Sequence, residues 1–126
     1  MGEFIKTFFF DTYVFFEMIH GNLNYERYKK DVAIITTKFN LMELHYGLLL
    51  LFGKETADYY FDSYSKFAVD IPDDIIKLAN EFKKVMKTRN VSYVDCLGYA
   101  LAKSRNITFL TGDKEFKDLD NVEFVK

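Results

Sequence analysis

The sequence has no tryptophan and a single cysteine, Cys96. One cysteine excludes an intrachain disulfide framework and suits a reducing compartment. Long hydrophobic runs are missing too, and none approaches the roughly 18 apolar residues of a membrane span. The N-terminus lacks the basic, apolar and small-residue order of a signal peptide. Met1-Gly2 is followed by Lys6 where a myristoylation signal has Ser or Thr. A strong charge of either sign is absent: the formal net charge is −2. No global basicity announces nucleic acid, although basic residues can cluster locally. No internal repeat, low-complexity tract or linker breaks the chain. These absences predict one soluble, cytoplasmic domain over residues 1–126, long enough to bury a core.

What is abundant is apolar and aromatic. Hydrophobic residues make up 49%, with 14 Phe and 9 Tyr, which excludes a disordered chain. With so many rings, some are expected in an interface. Phe8–Phe10, Val32–Thr36, Phe67–Ile71, Ile107–Leu110 and Val122–Val125 read as strands, the apolar ones buried on both faces. Between them lie helical stretches. Tyr13–Ile19 is followed by a polar helical piece over Leu23–Asp31. Lys38–Phe52 is closed by Gly53, and Glu55–Lys66 follows. Another helix begins at Pro72 with Asp73 and Asp74 in its first turn and runs to about Lys87. The last is opened by Ser92 and ends near Asn106. Strands alternating with helices predict an α/β fold with a mainly parallel sheet. In such sheets ligands bind in the crevice at the carboxyl ends of the strands.

Two acids fall at such ends: Asp11 after Phe8-Phe9-Phe10, and Asp113 after Ile107-Thr-Phe-Leu-Thr-Gly112. Each also suits a helix N-cap or a turn. Glu43 lies on a helix that is apolar nearly all round. Its helical neighbours are Phe39, Asn40, Tyr46, Gly47 and Leu50, so it either meets a metal or snorkels to water. Asp95 stands three residues after Ser92, close to a capping box. Gly98, Ala100 and Ala102 on the same helix allow tight packing on the sheet, which would carry Asp95 toward the strand ends. Asp118 and Asp120 read as solvated loop acids, and Glu115 as an outer supporting group.

The motifs Phe10-Asp11-Thr12, Met42-Glu43-Leu44, Ser92-Tyr-Val-Asp95 and Leu110-Thr111-Gly112-Asp113-Lys-Glu-Phe116 come in the order of a PIN domain. The chain resembles that family over essentially its whole length, and within it the small VapC-type toxin ribonucleases. The resemblance implies a three-layer α/β/α sandwich and an Mg²⁺- or Mn²⁺-dependent endoribonuclease. It implies Asp11, Glu43, Asp95 and Asp113 as catalytic and metal-site acids, with Thr111 in support. It also implies a homodimer, a VapB-type antitoxin partner and an RNA substrate. Tyr13 departs from the pattern, since many members carry a small polar residue there.

The residue chemistry agrees with that expectation. Two carboxylates about 4 Å apart repel by roughly 4 kcal/mol at an effective dielectric of about 20. Converging acids therefore need protonation or a cation. Oxygen donors without a His/Cys set favour Mg²⁺ or Mn²⁺ over Zn²⁺. His20 and His45 have no metal spacing, and Cys96 reads as a packing residue. Lys38, Lys114, Lys83, Lys84, Lys87 and Arg89 are candidates for RNA phosphates. A haloacid-dehalogenase-type phosphatase needs a second Asp where Tyr13 stands. A receiver-type phosphoacceptor needs paired acids that are missing. The remaining alternative is a non-catalytic PIN-like module that binds RNA or protein.

Overall fold

The computed structural model describes residues 5–126, so the reading of Met1-Gly2 lies outside the described residues. The apolar run Thr7–Phe10 forms the central strand β1, flanked by Ala33–Ile35 (β2) and Thr108–Thr111 (β3). Val122–Phe124 (β4) pairs with β3, giving the order β2-β1-β3-β4 with every pair parallel. Helices fill the connections: Thr12–Ile19 (α1), Lys38–Phe52 (α2), Lys54–Tyr64 (α3), Asp73–Val85 (α4) and Tyr93–Ser104 (α5). 3₁₀ segments cover Leu23–Tyr28, Ser65–Phe67 and Lys114–Phe116.

Alternation along β1 and β3 builds the layers, because successive strand side chains point to opposite faces. Phe9 and Phe109 point to one side and stack at 5.6 Å within a core formed with α4 and α5. Phe8, Phe10 and Leu110 point to the other, against Val14, Phe15, Leu41, Leu44, Leu48 and Ala57 of α1 to α3. The result is the expected α/β/α sandwich. Gly98 permits it: a Cβ there would stand 2.7 Å from the Phe9 ring. Gly47 does the same for Phe16, whose ring occupies the space of the missing side chain and joins α1 to α2.

Two expected elements differ. The strand predicted over Phe67–Ile71 shrinks to one bridge, Thr36 to Ala68. Phe67 is already spent in a 3₁₀ turn, and Pro72 has no N–H to extend a ladder. The stretch after Leu23, read as polar, buries Tyr25 and Tyr28. Their hydroxyls bond the Val125 carbonyl and the Glu123 carboxylate, so this turn clamps β4.

Candidate active site

The chain runs from β1 to β2 on one side and returns to β3 on the other. The carboxyl ends of β1 and β3 therefore flank a point where strand order reverses, the usual position of an α/β crevice. Asp11 leaves β1 there and caps α1, accepting from the Thr12 N–H at 2.9 Å. It is only 3% exposed. From β3 the Thr111 hydroxyl donates to its other oxygen at 2.7 Å, and the Asp113 N–H donates to Thr111 Oγ1 at 3.0 Å. Asp113 caps the following turn through the Glu115 N–H.

From the other side, the Thr12 hydroxyl donates to Glu43 Oε1 at 2.9 Å. Thr12 Oγ1 in turn accepts from Asn40 Nδ2 at 3.1 Å, and the Thr37 hydroxyl donates to Asn40 Oδ1 at 2.6 Å. Thr36 ties the end of β2 to β1 through the Phe10 carbonyl at 3.0 Å. Asp95 completes a capping box, accepting from the Ser92 N–H at 2.9 Å while its own N–H donates to Ser92 Oγ at 3.1 Å. The cap readings of Asp11, Asp95 and Asp113 all hold. Thr12, Thr37 and Asn40 are buried polar residues, bonded in series to Glu43, that the sequence reading did not assign. Asn40 is a buried amide on the helical face of Glu43, and that spacing was the available signal.

Electrostatics shows which acids feel each other. Burial pushes the Asp11 carboxyl well above the carboxylate range, and Asp95 and Glu43 push the same way against the pull of Thr111 and Thr12. Burial also raises Glu43, with Asp95 adding to it, and Thr12 and Ser92 lower it. Burial raises Asp95, and Asp113 adds to that; the Ser92 hydrogen bonds, and to a lesser extent Lys83, lower it. None of the ion pairs among the described residues involves these four acids. Also among the described residues, no three His, Cys, Asp or Glu side chains already form a group closed enough to hold a metal ion. The donor chemistry nevertheless fits a hard divalent cation: carboxyl and hydroxyl oxygens only, with Asp11 buried beside like charges. Cys96 is buried, with its thiol pushed up to about 11 by burial. His45 instead pairs with Asp58 at 2.8 Å across α2 and α3.

The loop acids and one basic candidate find partners among the described residues. Asp118 is gripped by Arg89 through two bonds of 2.7 and 3.0 Å, which commits Arg89 structurally. Asp120 accepts from the Tyr99 hydroxyl at 2.8 Å and from Lys103 at 3.2 Å. Both acids remain exposed in the loop, as expected, and are held there by these partners. No helix among the described residues is long and apolar enough to cross a membrane.

The PIN domain family model matches residues 8–122. No curated protein matches the sequence. Among solved structures the fold is similar to VapC20 of Mycobacterium tuberculosis, a Sarcin-Ricin loop cleaving toxin. That match has TM-score 0.76 and 19% identity over 94% of this chain and 96% of that one. VapBC2 from Rickettsia felis, bound to a promoter DNA fragment, matches at 0.74 and 22% identity over 95% and 99%. A toxin–antitoxin complex from Klebsiella pneumoniae matches at 0.72 and 17% identity over 91% and 94%. At such identities the likeness speaks for the fold.

Proposed function

The chain belongs to the PIN domain family, and we propose that it is a metal-dependent endoribonuclease, the toxin of a type II toxin–antitoxin pair. One observation carries the reading: Asp11 is buried beside Asp95 and Glu43, with no ion-pair partner among the described residues to offset it. A fold that only needed a helix cap would gain nothing from burying that acid next to two others.

Asp11, Glu43, Asp95 and Asp113 would hold Mg²⁺ or Mn²⁺, and the cation would activate water and offset charge on the scissile phosphate. Thr111 orients Asp11 through its hydroxyl, as outer partners of metal ligands do. Thr12 does the same for Glu43, itself held by Asn40. Burial favours the protonated form of Asp11, so a cation bound there would compete with that proton.

The partner assignments rest on the surface of α2. Phe39, Met42, Tyr46, Leu49 and Leu50 are all exposed there, an apolar face larger than a lone domain needs. We assign it to a second copy of the chain or to a VapB-type antitoxin. Several similar structures are toxin–antitoxin complexes.

The test is cleavage of a total RNA pool with Mn²⁺, Mg²⁺ or chelator, comparing wild type with Asp11→Asn and mapping new ends by sequencing. Cuts that need both the metal and Asp11 support the reading. Cuts equal in the variant overturn it. No cutting, with tight partner binding, would favour the non-catalytic module.

A further inference from the structure

An acid-lined crevice repels a polyanion, so a nuclease built here needs a means of holding its substrate beside the acids. The side chains at the start of α5 supply one. Tyr93, the first residue of α5, is 65% exposed although aromatic, and it stands two residues from Asp95. The Lys83 ammonium reaches over from α4 and lies 4.8 Å from the Tyr93 ring centroid. It is anchored there by donating to the Val91 carbonyl at 2.8 Å. That single bond leaves two of its three N–H donors. No carboxylate lies within 4.0 Å of Lys83 among the described residues, whereas Arg89 and Lys103 are each bound to one.

We propose that Lys83 and Tyr93 form a subsite for single-stranded RNA, the Tyr93 ring stacking on a base next to the scissile phosphate and Lys83 meeting a backbone phosphate. The proposal rests on the nuclease reading and names how that site takes its substrate. An exposed ring can stack on a base, since every base offers a π face. The cation already packed against the ring answers the phosphate charge. The Val91-Ser92 segment that anchors Lys83 also positions Asp95 through Ser92, so substrate grip and metal site share one support.

The experiment measures binding of a fluorescein-labelled, mixed-sequence 12-nucleotide single-stranded RNA by anisotropy, with Mg²⁺, in the uncleaving Asp11→Asn protein. Tyr93→Ala, Tyr93→Phe and Lys83→Met are introduced singly, and each variant's Tm is checked. Tyr93→Ala should weaken binding roughly tenfold, within the range of one base–aromatic stack, while Tyr93→Phe should keep it. Lys83→Met should weaken binding severalfold and reduce the salt slope by about 0.7, one phosphate's share on a single strand. In cleaving protein the same substitutions should raise KM more than they lower kcat.

An affinity indifferent to both side chains, in folded variants, overturns the subsite. If wild type still cuts RNA with metal in that case, the nuclease stands without it. RNA binding that depends on Tyr93 and Lys83 in a chain that never cuts overturns the nuclease and keeps the subsite. A Tyr93→Ala protein with unchanged RNA affinity but a dissociated dimer in sedimentation assigns the ring to protein contact and overturns the proposal.

Discussion

The acids at the strand ends and the acids on the flanks live under opposite electrostatics. Asp58, Asp118 and Asp120 are each met by a donor: His45 and Lys54, Arg89, and Tyr99 with Lys103. Those partners hold all three carboxyls below their ordinary range. Asp11, Glu43 and Asp95 are instead pushed up, first by burial and then by other acids. Both groups sit on the same small scaffold, so the fold does pair carboxylates with cations where stability alone is served. Acids buried together without an ion pair support the metal site proposed above.

The largest effect should come from removing the centre of the uncompensated group. Asp11→Asn should cut metal-dependent cleavage by more than the ~100-fold that outer partners of metal ligands cost, with the fold intact by circular dichroism. Thr111→Val removes only the hydroxyl that orients Asp11. It should cost roughly 10- to 100-fold in activity or metal affinity, read from a Mn²⁺ titration of cleavage rate.

Stability should then divide the two groups by sign. The unfolded chain releases the Asp11 proton near its ordinary 3.8, whereas the folded chain keeps it up to about 8. The Asp11 contribution is therefore fully present below pH 3.8 and is lost as pH rises toward 8, at no more than about 1.4 kcal/mol per pH unit. Urea unfolding without metal should show this fall, and Asp11→Asn should flatten it. Saturating Mg²⁺ should offset the fall at pH 8 in wild type. The lowered flank acids act in reverse, their contribution being present above the ordinary carboxylate range and lost on acidification. Asp118→Asn should have the smallest effect: a slight drop in Tm at neutral pH and unchanged cleavage. A large loss of activity there would break the division between the groups.

The segments of short range were legible in the sequence. Gly53 ends α2 at positive φ, Pro72 precedes α4, and Ser92 with Asp95 forms the capping box that their spacing predicts. The Phe8–Phe10 run reads directly as a central strand, and its alternation sorts the rings onto two faces. The Phe67–Ile71 run failed because apolar character cannot outweigh a neighbouring turn and a proline. Asp118 and Asp120 were legible as solvated loop acids, but not their partners, because Arg89 and Tyr99 come from distant parts of the chain. Asn40 was visible as a helical neighbour of Glu43, but its role needs Thr12, 28 residues away.

The sequence by itself determined the α/β order of elements, the caps and the chain order of four acids. Those properties depend on side chains a few residues apart, whose geometry the backbone period sets. Tertiary structure alone decided which acids feel one another. Thr111 reaches Asp11 across 100 residues because β1 and β3 pair in one register, Phe10 opposite Leu110. Glu43 reaches Thr12 because Gly47 lets α2 close on α1. Carboxyl energies depend on burial and on charges a few ångströms away, and only packing sets those distances.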